Sequence, residues 1–211
     1  MTRLIYLHGF ASGPGSKKAQ YFLQRFAAIG LTLEIPDLTA GDFENLTITG
    51  QLEVLTKLAA GGEVHLIGSS LGGYLAALYA SIHPEATRAV LLAPAFCFPR
   101  RWRQNLGDEK FDEWERSGFL PVFHYADQTQ RRVSFNLIRD ASRYEDYPDV
   151  RQPCLIYHGI HDDTVPVEYS RAFAAQRPNV ELHAVDSGHE LINVLEPMWL
   201  RVRDFLTQSG T

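Results

Sequence analysis

Short aliphatic and β-branched runs recur along the chain: RLIYLH (3–8), LTLEIP (31–36), EVHLIG (63–68), RAVLLA (88–93), CLIYHG (154–159) and VELHAV (180–185). They are continuously apolar rather than alternating, the pattern of strands buried on both faces of a parallel sheet. Between them lie stretches with helical spacing of apolar positions, at 16–29, 45–60, 71–82, 166–177 and 194–207. Strand–helix alternation of this kind predicts an α/β fold with about six mostly parallel strands flanked by helices and joined by right-handed crossovers. Such sheets place their sites at the carboxyl ends of the strands.

One stretch breaks the rhythm. Residues 95–152 separate the fourth and fifth strand candidates, and they hold 11 of the chain's 24 aromatic residues. Long insertions in compact domains are commonly active-site lids. A helical lid inserted before the fifth strand is therefore expected, within a single domain spanning 1–211. Two extra packing helices over an ordinary core are the plainer alternative. The insertion also carries Arg100, Arg101 and Arg103, which either meet an acidic group of a substrate or, as a charge run more often does, form a solvated helix face.

Composition narrows the classes of function. A chain of 211 residues with 45% hydrophobic and 21% charged residues is ordinary for a globular domain. The net charge of −5 argues against nucleic-acid binding and favours a small-molecule substrate. The N-terminal apolar run is too short for a signal peptide, and no run approaches the length of a membrane span. Two cysteines, Cys97 and Cys154, are too few for a disulfide framework and read as buried free thiols in a reducing compartment, with the cytoplasm as the expected location.

The candidate chemistry begins in VHLIGSSLGGYLAALYA, residues 64–80. Gly68-Ser69-Ser70-Leu71-Gly72 matches G-x-S-x-G, the frame of a nucleophile on a sharp strand-to-helix turn. Strand and helix approach closely there, so the positions two before and two after the nucleophile must be tiny. Ser70 has glycine at both; Ser69 would need one at position 67, which is Ile67. An apolar run precedes the match and a helical pattern follows it, which a chance glycine-rich turn does not require.

A serine hydroxyl needs a base to take its proton. Of eight histidines, His65 and His183 fall within strand runs, His83 ends a helix, and His124 lies in the insertion. His189, in the loop VDSGHEL just beyond the last strand candidate, combines a glycine-flanked loop with a sheet-edge position and is the candidate base. An acid to hold its tautomer belongs in the loop after the preceding strand, HGIHDDTVP (158–166), where Asp162 and Asp163 compete. His161 beside Asp162 also raises a metal site, but no second ligand cluster accompanies it, and no cofactor is expected. The loop after the first strand, LHGFASGPGSKK (7–18), offers Gly9 for the turn and the Phe10 N–H as one oxyanion donor; the Leu71 N–H is the other. The phosphate-loop pattern is absent from it.

Four motifs, LHGF (7–10), GSSLGG (68–73), HGIHDDTVP (158–166) and SGH (187–189), stand in the order found in the α/β-hydrolase superfamily, which the chain resembles over nearly its whole length. The resemblance implies Asp162 rather than Asp163 as the triad acid, because the third motif reads H-G-x-x-D-x-x-V-P. It also implies Phe10 and Leu71 as the oxyanion donors. The superfamily's additional N-terminal strands are expected to be missing here, so that six parallel strands rather than eight are expected. The first loop is similar to that of small esterases of the YqiA type, and LIRDASRYEDY (137–147) is similar to the abhydrolase palmitoyl-protein thioesterase branch. The implied activity is that of a carboxylesterase-type serine hydrolase with triad Ser70, Asp162 and His189, acting on short-to-medium or aromatic acyl esters. Thioesterase, peptidase and C–C bond hydrolase chemistry on the same triad, or a fold used only for binding, are the alternatives.

Overall fold

The computed structural model describes residues 2–207, so residues 1 and 208–211 of the expected domain lie outside the described residues. In chain order the elements are β1 (Arg3–Leu7), α1 (Lys17–Ala27), β2 (Leu33–Glu34), α2 (Ile48–Ala59), β3 (Val64–Ser69), α3 (Leu71–Ile82), β4 (Ala86–Leu92), α4 (Phe98–Leu106), α5 (Asp108–Ser117), β5 (Phe119–His124), β6 (Thr129–Ser134), α6 (Asn136–Ala141), β7 (Cys154–Gly159), α7 (Glu168–Ala175), β8 (Val180–Val185) and α8 (Leu195–Thr207). Six strands form one sheet in the order β2-β1-β3-β4-β7-β8, and every pairing in it is parallel. All six expected strands and all five expected helices are present, within about two residues at most ends.

Because strand side chains alternate between faces, each apolar run feeds two cores. Ile5, Leu7, Leu66, Leu91 and Ile156 join the core beneath α2, α3 and α7, while Leu4, Tyr6, Ile67, Val90, Leu92 and Leu155 join the core beneath α1 and α8. This explains why the runs read as continuous rather than alternating. On the second face, Phe22 and Phe26 of α1 meet Trp199 of α8, with ring centroids 6.5 and 5.0 Å away. Both cysteines are buried and free. Among the described residues no helix is long and apolar enough to cross a membrane.

The insertion is not wholly helical. After α4 and α5 it folds into the antiparallel hairpin β5–β6, and only then into α6. Leu120 and Val122 pack inward on one face of β5, while Pro121 between them sits opposite Arg132 in a two-stranded ribbon, where a missing N–H is tolerated. The density of aromatics obscured this period-2 pattern. Trp114 anchors the insertion: its indole N–H donates to the Val133 carbonyl at 3.1 Å, and its ring meets Trp102 at 5.2 Å and Phe135 edge-on at 5.3 Å. The hairpin is tied back to the body where the Tyr125 N–H donates to Ala11 O (2.8 Å) and the Ser134 N–H to Glu44 O (2.8 Å).

Replacing Trp114 with alanine leaves a large cavity and removes the indole bond to the Val133 carbonyl. It is expected to lower the free energy of unfolding by about 3–5 kcal/mol, read by urea denaturation.

Candidate active site

The sheet order reverses direction between β1 and β3, so the loops leaving the carboxyl ends of these two strands diverge and open a crevice. Ser70 stands at that point, on the turn from β3 into α3, with φ 55° and ψ −116°. A positive φ is strained for a residue with a side chain, by about 1–3 kcal/mol. The turn is over-determined by its surroundings: the Ser70 N–H donates to Leu92 O (2.8 Å), and Ser70 O accepts from Ala95 N (3.0 Å) and Tyr74 N (3.1 Å). The flanking glycines are obligatory here. A Cβ on Gly68 would lie 2.2 Å from Gly72 O, and one on Gly72 would lie 2.1 Å from Leu7 O. Helix α3 is thus pressed against the end of β1 at a distance that no side chain permits.

The structure brings Ser70, His189 and Asp162 together across 119 positions of sequence. His189 Nε2 lies 3.0 Å from Ser70 Oγ, and His189 Nδ1 lies 2.7 Å from Asp162 Oδ2. With the ring proton on Nδ1 donated to the carboxylate, Nε2 is free to accept from the serine hydroxyl. Asp163 is exposed and, among the described residues, accepts a side-chain hydrogen bond from the Thr164 hydroxyl alone, at 3.3 Å.

Asp162 is held on all sides. Its Oδ1 accepts from the Thr164 and Val165 amides at 2.9 and 2.7 Å. Its side chain is fully buried, which alone would raise its pKa; hydrogen bonds from His158 and His189 and the Val165 amide outweigh this and hold the carboxyl well below the usual carboxylate range. His158, itself wholly buried, shares its Nε2–H between the Val165 carbonyl (2.7 Å) and Asp162 Oδ2 (3.2 Å), while its Nδ1 accepts from the Ser170 hydroxyl at 2.7 Å.

The loop carrying His189 is fixed from below. His161 N–H donates to Ser187 O at 3.0 Å, and Ser187 Oγ donates to Asn193 Oδ1 at 2.6 Å. Lys18, buried in the first turn of α1, donates from Nζ to the Glu190 carbonyl at 2.9 Å, directly after His189. Burial pushes the Lys18 ammonium's pKa down, opposed by Glu190 and Asp162. His158 and Lys18 were missed from the sequence alone. The available signals were the leading histidine of HGIHDD and a lysine on the helical stripe of Phe22 and Phe26.

The loop after β1 lies beside Ser70: a Cβ on Gly9 would sit 3.4 Å from Ser70 Cβ. The Phe10 N–H makes no hydrogen bond among the described residues, and the Leu71 N–H, at the first position of α3, has no partner within its helix. His8 anchors this loop, with Nδ1 3.1 Å from Gly9 O and Nε2 accepting from the Leu38 N–H at 3.3 Å. Burial pushes the His8 pKa down, which suits a neutral ring that accepts at Nε2. The Phe10 ring lies between Phe43, tilted at 44°, and Trp102, edge-on at 84°, each with its centroid 5.4 Å away, so through Trp102 the insertion reaches the loop beside the serine.

The remaining histidines stand elsewhere. His161 pairs with Asp186 on the surface, His183 with Glu181, His83 with Glu85, and His124 with Asp127 at the hairpin tip. The three arginines of the insertion divide. Exposed Arg100 pairs with Asp146, and half-buried Arg103, lying 4.3 Å over the Phe111 ring, pairs with Asp108 and Asp112 at 2.7 and 2.9 Å, as on a solvated face. Arg101 is buried and, among the described residues, has no carboxylate partner within 4.0 Å.

A family model described as Uncharacterised protein family (UPF0227) matches residues 3–207. No curated protein matches the sequence. Among solved structures, alpha/beta hydrolase domain-containing protein 10 from mouse superposes with TM-score 0.80 at 22% identity, over 96% of this chain and 88% of that one. Est1E from Butyrivibrio proteoclasticus gives 0.77 at 23%, over 97% and 86%, and a putative hydrolase from Agrobacterium vitis S4 gives 0.83 at 22%, over 97% and 87%. At these identities the likeness is one of fold, and the fold is that of the α/β hydrolases.

Two outcomes follow from the geometry. Gly72→Ala is expected to destabilise the protein by about 2–4 kcal/mol, because the backbone of Leu7 cannot yield, and chemical denaturation reads the loss. The depressed Asp162 carboxyl adds stability above its unfolded pKa of about 4, and this is lost as pH falls through the lower folded value. Asp162→Asn should therefore flatten the acid side of the stability–pH curve, whereas Asp163→Asn should leave it unchanged.

Proposed function

Because the chain belongs to the UPF0227 family and folds as an α/β hydrolase, we propose that it is a serine hydrolase that cleaves carboxylic esters of short-to-medium or aromatic acyl groups. The observation that carries this reading is the unbroken line Ser70 Oγ···Nε2 His189 Nδ1···Oδ2 Asp162, at 3.0 and 2.7 Å. Ser70 Oγ attacks the acyl carbon while His189 Nε2 takes its proton. The forming imidazolium is stabilised by the ionised Asp162, which stays anionic because His158 and two backbone amides hold it so. The negative charge developing on the carbonyl oxygen is received by the Phe10 and Leu71 N–H groups, each worth on the order of 10²–10³ in rate.

Collapse of the tetrahedral intermediate breaks the ester bond. His189 returns its proton to the departing alcohol, leaving the acyl group on Ser70. Water, deprotonated by the same imidazole, then releases the acid and restores the serine. Half-buried Phe10, in the loop beside the serine, and Trp102 against it support an apolar or aromatic acyl group. Ser70 is half-buried and the His189 side chain 15% exposed, which supports access of the water that deacylation needs.

The test is a panel of p-nitrophenyl esters of graded chain length, with a ferulate ester and acyl-CoA thioesters alongside; the structural relative Est1E has been solved with ferulic acid bound. Wild type should turn over esters, and a fluorophosphonate probe should label Ser70. Ser70→Ala should abolish labelling, and Asp162→Asn should lower kcat by about 10³–10⁴-fold while Asp163→Asn stays within about threefold. Equal rates for wild type and Ser70→Ala would sink the mechanism; faster turnover of thioesters than of esters would move the substrate class to thioesters.

A further inference from the structure

Burying a guanidinium costs several kcal/mol unless a counter-charge or a full set of hydrogen bonds compensates it. Arg101, on the insertion's first helix, is 6% exposed and has neither. Among the described residues no carboxylate lies within 4.0 Å of it. Its Nη2 donates to one backbone carbonyl, Thr164 O, at 2.6 Å, and its Nε is fully buried with no partner. Arg177 makes the contrast: its Nε is also unpartnered, but its two terminal nitrogens reach the carbonyls of Phe173, Tyr147 and Pro148. Arg101 is thus a cation held in place by a single bond, with part of its donor fork unused.

Its place in the fold gives that fork a direction. Thr164, which Arg101 holds through its carbonyl, donates its own N–H to Asp162 Oδ1. Trp102, the next residue, packs on Phe10 in the loop beside Ser70. The helix carrying both begins three residues after Ala95, whose N–H binds the Ser70 carbonyl. Arg101 therefore stands between the acid loop and the Trp102–Phe10 contact. Asp162, which His158, His189 and two amides already hold, and which Lys18 also feels, favours the Arg101 charge only from beyond 4.0 Å, and burial outweighs it. A methionine would fill the same space with no such cost, so packing alone does not account for an arginine there.

We propose that Arg101 is the receptor for a carboxylate carried by the substrate, so that the protein prefers acidic esters to neutral ones of the same length. The planar fork suits a carboxylate, which can take two parallel hydrogen bonds from it. The inference rests on the serine-hydrolase reading for where the substrate lies.

Two arms locate the carboxylate. In one, mono-p-nitrophenyl glutarate is compared with p-nitrophenyl valerate, which places the charge on the acyl side. In the other, 4-carboxyphenyl butyrate is compared with phenyl butyrate, which places it on the leaving group. Wild type should favour the acidic ester in one arm. Arg101→Gln should lower that ratio of kcat/KM by about 10- to 100-fold, and Arg103→Gln, on the solvated face, should not change it. Should the glutamine variant fail to fold, Arg101→Met, of similar length, replaces it. No preference in either arm, or a preference that survives loss of the guanidinium, overturns the proposal. If no ester is turned over, the hydrolase reading has failed by itself, and titration of glutarate then decides: binding at least tenfold weaker in Arg101→Gln than in wild type supports the receptor, and equal binding overturns it.

Discussion

The contact on which the rest of the site depends is the approach of α3 to the end of β1 at Gly72. With a Cβ there only 2.1 Å from Leu7 O, helix and strand meet backbone to backbone. That approach sets three things together. It forces Ser70 into a positive φ, which lifts the hydroxyl off the end of β3. It sets the first N–H of α3 at the serine's side. It also brings the loop after β1 against Ser70, so that Gly9 and then Phe10 lie beside the hydroxyl. The bonds from Ser70 to Leu92, Tyr74 and Ala95 keep the strained turn from relaxing. The Ser70 hydroxyl and the Phe10 and Leu71 N–H groups are therefore placed by one packing constraint rather than separately.

A second constraint is electrostatic. Asp162 is buried and stays ionised because His158, His189 and two amides all point hydrogens at it. His158 can do this only while Val165 O and the Ser170 hydroxyl fix its tautomer. Removing Ser170's hydrogen bond would free the His158 ring to rotate, so the acid's orientation extends through a chain of polar groups into α7. Lys18 fixes the other side, gripping the backbone directly after His189. Asp162 and the His189 loop are thus held by two buried polar side chains, His158 and Lys18, from opposite layers of the fold.

How much of this was legible in the sequence follows from range. The six parallel strands were legible because each is buried on both faces, and continuous apolar runs such as Leu4–Leu7 carry that property locally. The glycine frame chose Ser70 over Ser69 because steric closeness leaves a mark at fixed spacing. The hairpin at 119–134 was not legible, since Phe119 and Phe123 read as part of an aromatic cluster until the pairing of Leu120 with Val133 is known. Arg100, Arg101 and Arg103 looked alike as a charge run. Their helix has one face toward the acid loop and another toward Asp108, Asp112 and Asp146, and only tertiary packing distinguishes them. Lys18 and His158 act through backbone carbonyls and through Asp162, partners that sequence spacing does not reveal.

The insertion is joined to the site on two sides, and this bears on what it can do. At its tip, the Tyr125 N–H holds Ala11 O, one residue beyond Phe10, and Phe43 meets the hairpin's His124 at 4.5 Å. At its root, Trp102 covers Phe10 while Arg101 grips Thr164 in the turn that orients Asp162. A segment that merely roofed the crevice would touch its rim; this one touches the loop of the oxyanion donor and the loop of the acid at once. Lifting it would cost the Trp102–Phe10 contact and the Arg101–Thr164 bond together, and would disturb both loops that flank the serine. Residues 95–152 are for that reason tied into the body of the fold rather than laid over it, with Trp102 against Phe10 on one side and Arg101 against Thr164 on the other.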